Sequence, residues 1–327
     1  MVMEQIRWGI IGCGDVTEVK SGPAFNLVEG SSLVAVMRRN ADLAKDYAIR
    51  HGVPKWYDRA EDLIHDEEVD AVYIATPPST HKEYTILAAK AGKPIYVEKP
   101  MAMNTKECEE MVEVCKQEQV PLYVAYYRRA LPRFLKVKEL LEAGEIGEIR
   151  FVSIQQTQQI IEKDENGEWP WRVLPEISGG GLFYDVASHT LDLFDFLIGP
   201  IKKAKGIAVN QAGSYPAEDM VNGIVEFENG VIGNGVWSFS SYKNEDMNRI
   251  VGSKGEILFS SFDEKPVTII TETKSKQHII EHPKHIQKDL IQAIVQELLG
   301  KGTSPSTGET ALRTNRVMQE FVKSYYS

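Results

Sequence analysis

Apolar residues follow two different rhythms along this chain, and the change comes near residue 125. Before it, short β-branched runs at 6–11, 33–37, 71–74, 94–97 and 122–125 alternate with stretches of helical period such as 80–91 and 105–119. Short apolar runs without alternation read as strands buried on both faces, and the amphipathic stretches between them as crossover helices. Asn104 with Glu107 predicts a capping pair for 105–119, and Asp58 with Glu61 one for a shorter helix. Strand and helix alternating at this spacing imply right-handed βαβ units and a doubly wound parallel sheet.

After a helix near 132–142, the runs at 148–158, 201–211, 221–228, 231–241, 248–253, 256–260, 267–271 and 277–281 are strand-like and mostly joined by tight turns. Glu228-Asn229-Gly230 is a hairpin signal. In 231–241 one face carries Val231, Trp237 and Phe239 and the other Asn234, Ser238 and Ser240, the alternation of an antiparallel sheet with one face packed on helices. Two late helices, 285–299 and 307–325, close the chain, the second with Ser306 and Glu309 as a capping box. The expected fold class is therefore α/β. A doubly wound domain at 1–125 precedes an α+β domain at 126–327 with a large, mostly antiparallel open sheet.

Composition narrows the function. A length of 327 residues suits two domains, and 43% hydrophobic with 26% charged residues is the balance of a soluble globular protein. A net charge of −10 argues against a nucleic-acid or anionic-membrane surface, either of which needs a basic face. Cys13, Cys108 and Cys115 lack metal-ligand or disulfide-framework spacing, which predicts reduced thiols and a cytoplasmic setting. No signal-like segment opens the chain, no apolar run reaches membrane-spanning length, and no metal site is expected.

The candidate chemistry lies where strands end. "WGIIGCGDVTEV" sets Gly12 and Gly14 at the first strand-to-helix turn, where glycine lets the backbone approach a pyrophosphate; Asp15 and Val16 follow in the same turn. Thr17 stands at the third glycine position of that fingerprint, so close helix–strand packing has to be achieved otherwise. The second strand ends in Met37-Arg38-Arg39 and lacks the acidic residue that holds the ribose hydroxyls of NAD. Two guanidinium groups there suit the extra phosphate of NADP, so NADP is the preferred cofactor, with NAD possible. Thr76 and Pro77 form a stiff loop at the carboxyl edge of the sheet, and His81 either joins the cofactor site or stabilises the following helix. "YVEKP" brings Glu98 and Lys99 to the end of an apolar strand and locks the backbone with Pro100.

With "ATPPSTH", "VEKP" and "GGGLFYDVASH" in this order, the chain resembles, over essentially its full length, the glucose–fructose oxidoreductase / inositol dehydrogenase / MocA family. The resemblance implies a Rossmann domain, NAD(P)-dependent hydride transfer at a carbinol or carbonyl carbon of a sugar, polyol or sugar-like compound, and a homo-oligomer, dimer or tetramer, through the open sheet. On it, Lys99, Asp185 and His189 become the catalytic set. Asp185 and His189 are four residues apart and lie within about one turn of a helix. Histidine titrates near neutrality and suits the proton transfer; Asp185 orients a neighbouring hydroxyl; Lys99 stabilises charge on the reacting oxygen. The opposite assignment, with Lys99 carrying the proton and His189 orienting, stays open, and Glu98 reads as an orienting neighbour of Lys99. Tyr126, Trp171 and Arg172 are candidates for substrate binding. A dihydrodiol- or xylose-dehydrogenase-like enzyme shares all these residues, and a non-catalytic dinucleotide-binding regulator shares the fold.

Overall fold

The computed structural model describes residues 4–327. The chain forms two compact units, one made of the residues up to Leu131 with Pro283–Leu312, the other of Pro132–His282 with Arg313–Ser327.

The first unit is built on six parallel strands, β1 (Ile6–Ile11), β2 (Ser31–Met37), β3 (Lys55–Tyr57), β4 (Ala71–Ile74), β5 (Ile95–Val97) and β6 (Leu122–Val124), in the order β3-β2-β1-β4-β5-β6. Strand β4 is buried throughout, as a sheet covered on both faces requires. Gly9 in β1 is forced by packing: a Cβ there would lie 2.6 Å from a Leu63 methyl of the helix Ala60–Ile64. The three-residue edge strand β3 was too short and too polar to register in the hydrophobic rhythm. Asn104 caps the helix Thr105–Gln117, its Oδ1 accepting the Glu107 N–H at 3.0 Å. The helix Ala60–Ile64 starts instead from Arg59 with no side-chain cap, so the Asp58–Glu61 expectation fails.

The division at 125 also needs correcting. Residues 283–312 pack with the first unit, where the helix Lys288–Leu298 buries Leu290, Ile291, Ile294 and Val295. Amphipathic spacing reveals an apolar face but not which sheet it will cover. The expected Ser306–Glu309 box is likewise displaced: the Ser306 hydroxyl donates to the Val124 carbonyl at 2.7 Å, and Thr307 and Thr310 exchange the capping bonds of the helix Gly308–Tyr326.

The second unit holds β7 (Ile149–Thr157), β8 (Ile201–Val209), β9 (Met220–Phe227), β10 (Ile232–Ser238), β11 (Glu245–Gly252), β12 (Gly255–Phe259), β13 (Val267–Thr271) and β14 (Ser275–His278). Their order is β14-β13-β12-β11-β7-β10-β9-β8, antiparallel except for the β7–β10 pair. Asn229 and Gly230, at φ +85°, make the β9–β10 hairpin. One sheet face is covered: Phe321 sits so close to β8 and β9 that a Cβ on Gly206 or Gly223 would lie 2.7 Å or 2.4 Å from it. The other face is open and presents Phe151, Ile207, Ile224, Ile232 and Met247. Among the described residues no helix is long and apolar enough to cross a membrane.

Candidate active site

In the first unit, four loops meet at the carboxyl edge of the parallel sheet. The turn after β1 needs glycine at Gly12, which has φ +91° and whose added Cβ would lie 2.7 Å from the Thr76 methyl and 3.0 Å from the Ala75 backbone. A Cβ on Gly14 would meet nothing closer than 3.9 Å, so the loop presents open space there. Asp15 is exposed and Val16 half-buried. Thr17 is fully buried, and its hydroxyl closes the turn on the Gly14 carbonyl at 2.7 Å. The close approach expected of a third glycine is made by Gly22 instead. A Cβ there would lie 2.2 Å from the Thr17 carbonyl oxygen and 2.3 Å from the Tyr47 hydroxyl.

Arg38 and Arg39 follow β2, both exposed, and no carboxylate pairs with either among the described residues. The Arg38 charge reaches Cys13 in the glycine turn, although burial dominates there and pushes that thiol up to about 11. All three cysteines are buried and free, which removes them as nucleophiles.

Thr76 and Pro77 are half-buried in the loop after β4. His81 is fully buried; its Nε2 faces the Thr76 carbonyl at 2.7 Å and its Nδ1 the Pro100 and Met101 carbonyls at 3.1 and 3.2 Å. Both ring nitrogens face backbone carbonyls, so His81 fills the space between the Thr76 loop and the Lys99 loop and offers no ring surface to a cofactor. Burial holds its pKa below the ordinary histidine value, against the pull of the carbonyls.

Glu98 is buried beside the cis Lys99–Pro100 bond. Its Oε1 accepts from the Tyr73 hydroxyl and from Gln287 Nε2, each at 2.6 Å, and its Oε2 from the Lys99 N–H at 3.2 Å. Tyr96 donates to Gln287 Oε1 at 2.7 Å, and the Gln287 N–H donates to the Lys20 carbonyl at 3.2 Å. Gln287 therefore joins the glycine-loop segment to the carboxylate beside half-buried Lys99. It was invisible to sequence reasoning, being 189 residues from Glu98 in a stretch with no motif. Tyr126 is a correction of another kind: it is fully buried in the core cluster with Val97, Met101 and Val124 and has no surface for a substrate.

The second unit carries the remaining candidates on one continuous segment. Trp171 and Arg172 lie in the 3-10 turn Trp171–Val173, with the guanidinium 4.5 Å over the Trp171 ring and Nε donating to Asp185 Oδ2 at 3.1 Å. Asp185 sits in a π-helical turn, Phe183–Ala187, and buried His189 opens the α-helix Ser188–Ile198 that follows. A single regular helix was expected; a π-turn is a frequent local irregularity at functional sites. The glycine run before it is needed for packing, since a Cβ on Gly180 would lie 2.2 Å from the Tyr184 ring.

His189 meets Phe262 edge-on at 5.8 Å between ring centres. The Phe262 loop is fixed by Asp246, which accepts the N–H groups of Ser261, Phe262 and Asp263 at 3.0, 2.6 and 3.2 Å, and by buried Arg133, which donates to the Asp263 and Lys265 carbonyls. Asp192, one turn beyond His189, is fully buried and accepts from Thr314 at 3.3 Å. No group of three or more His, Cys, Asp or Glu side chains among the described residues is arranged to hold a metal.

Comparison with known proteins decides what family these residues belong to. Residues 6–126 match the family model described as an oxidoreductase family with an NAD-binding Rossmann fold, and residues 134–258 the GFO/IDH/MocA C-terminal domain. The chain is 41% identical over 321 residues to "Oxidoreductase P35" of Formosa agariphila, covering 97% of this chain and 98% of that protein. It belongs to the GFO/IDH/MocA oxidoreductase family. A second relative of this family member is the 1,5-anhydro-D-fructose reductase of Ensifer adhaerens, 26% identical over 309 residues, which covers 93% and 91% of the two chains. Its fold is also that of the aldose–aldose oxidoreductase from Caulobacter crescentus, with a TM-score of 0.86 at 23% identity and 98% of each chain covered. The protein is thus an oxidoreductase enzyme with an NAD-binding Rossmann domain, and its fold class is as expected.

Proposed function

We propose that this family member transfers a hydride between a nicotinamide cofactor, NADP in preference to NAD, and a carbinol or carbonyl carbon of a sugar or polyol. The observation that carries the reading is the order of Lys99, Asp185 and His189 in the family's two motifs, with Lys99 held beside the buried Glu98 network. The sugar-directed names of the relatives support the substrate class.

The residues of the first unit fit a dinucleotide. Gly12 and Gly14 are half-buried at the turn, with open space over Gly14, and Thr76 and Pro77 border the same edge. Asp15 and Val16 continue the turn, and Arg38 and Arg39 stand where the adenosine ribose would be held. Two exposed guanidinium groups without carboxylate partners favour a 2′-phosphate over a free hydroxyl. Bound there, the nicotinamide supplies the hydride acceptor in oxidation and the donor in reduction.

The chain's own share of the chemistry is the proton and the charge on oxygen. As the carbinol C–H bond breaks, the hydroxyl proton must leave, and His189 accepts it; in reduction His189 returns it. Lys99 donates a hydrogen bond to the reacting oxygen and stabilises the negative charge that develops there. Asp185, oriented by Arg172, accepts a bond from a neighbouring hydroxyl and fixes which carbon is presented. Trp171 gives the sugar's C–H face an aromatic surface beside the Arg172 guanidinium. The alternative, with Lys99 as proton carrier, uses the same residues.

We also assign the open face of the second unit's sheet to a second copy of this chain. Ile207, Ile224 and Ile232 are at least half exposed and lie on adjacent strands with Phe151 and Met247 on the same face. A self-complementary apolar stripe of this kind favours a two-fold pair. Light scattering on the eluted protein should give a dimer or a multiple of it, whereas a monomer at micromolar concentration would overturn the assignment. Lys99→Ala should cut turnover by at least about a hundredfold while leaving NADPH binding intact, measured by steady-state rates and cofactor fluorescence; near-normal turnover would remove Lys99 from the reaction. Arg38→Ala should weaken NADP by about tenfold or more, the scale of a lost charge-assisted bond, and NAD hardly at all. Equal losses would show that Arg38 does not read the phosphate.

A further inference from the structure

The helical segment bearing Asp185 and His189 begins without any capping side chain of its own. What meets its start is Glu218, 37 residues away in sequence and fully buried. Oε1 of this carboxylate accepts the Gly181 N–H at 3.0 Å, and Oε2 accepts the Tyr326 hydroxyl. The fit leaves no slack, because a Cβ on Gly181 would lie 2.8 Å from the Glu218 carbonyl oxygen and 2.9 Å from the Ala217 methyl. We propose that Glu218 is a positioning residue: its carboxylate caps the segment from outside, fixes where the π-turn begins, and so sets the placement of Asp185 and His189. The inference rests on the roles given above to those two residues.

The groups facing the carboxylate make its charge conditional. They are the Gly181 N–H, the Tyr326 hydroxyl on the last helix, and the Asp219 carboxylate and Tyr215 hydroxyl on its own segment; Tyr325 beside Tyr326 donates to the Pro216 carbonyl. Asp219 is spent on the N–H groups of Gln211 and Ala212, each at 2.8 Å. Burial therefore outweighs the two donors and raises Glu218 from 4.5 to about 7. Because the folded value is the higher one, ionising this group costs stability that accumulates from about pH 4.5 to 7 and is fully present above. Above neutrality the cap is a charged acceptor; below it, a neutral carboxyl holds the Gly181 N–H more weakly.

Glu218→Gln in the full-length protein keeps the shape and removes the titration. With 15N-glycine labelling, the Gly181 amide of the wild type should titrate with a midpoint near 7, and the variant should lack this step. The variant's kcat should be within twofold of wild type at pH 6 and about tenfold lower at pH 8.5, with unchanged NADPH affinity, on the scale of a charged bond made neutral. Its thermal midpoint should gain on the wild type as pH rises. A pH-independent kcat ratio, or a Gly181 amide that does not titrate, would overturn the proposal. Wild-type protein inactive on every carbinol tried would instead sink the functional reading, while the amide titration would still decide Glu218's hold on the segment.

Discussion

A carboxylate buried at the end of a parallel strand has to be given donors, and the first unit is organised around meeting that demand at Glu98. An unsatisfied buried carboxylate is among the costliest features a fold can carry. Tyr73 comes from the neighbouring strand β4, the Lys99 N–H from the next residue, and the third donor, Gln287, from a segment that returns after the whole second sheet has been formed. The same glutamine takes the Tyr96 hydroxyl and reaches the Lys20 carbonyl behind the glycine turn. His81 packs between the Thr76 loop and the backbone after Lys99 from another side. Lys99 is thus presented by a loop fixed on several sides, and its geometry does not depend on its own rotamer alone.

What the sequence revealed and what it hid follow from the range of the interactions. Strands β1 and β4 and the helix Pro132–Glu142 are legible to the residue because local periodicity and flanking breakers define them. The glycine turn, the Glu98–Lys99 loop and the Asp185–His189 spacing are legible because each is a short contiguous motif. The short, half-exposed edge strand β3 has neither signal. The π-turn at Phe183–Ala187 is hidden because the same residues would be acceptable in an α-helix. Tyr126 followed a strand end and looked like a pocket residue, yet the chain buries it. Gln287, Glu218, Asp246 and Arg133 act across tens to hundreds of residues, where no single-chain pattern can announce them.

A common logic links the two units. In each, the side chains assigned to the chemistry stand on a segment whose start or turn is fixed by a buried acidic group: Glu98 beside Lys99, Glu218 before Asp185, Asp246 under the loop that meets His189. Backbone N–H groups that would otherwise be unpaired are used as the anchoring points. Catalytic groups held in this way lose little orientation when a substrate arrives, which is what proximity and preorganised electrostatics require. The exposed guanidinium groups after β2 stand apart from these buried networks, so the cofactor preference proposed for them is separable from the proposed chemistry.

Isotope tracing tests the proposed hydride transfer from a carbinol carbon most directly. A panel of aldoses, inositols and diols deuterated at each carbinol position would be incubated with the enzyme and NADP, and the reduced cofactor examined by NMR. Deuterium is expected at nicotinamide C4 from one labelled position of at least one sugar or polyol. Reduced cofactor without deuterium, or no reduced cofactor from any member under conditions where NADPH binds, would contradict it.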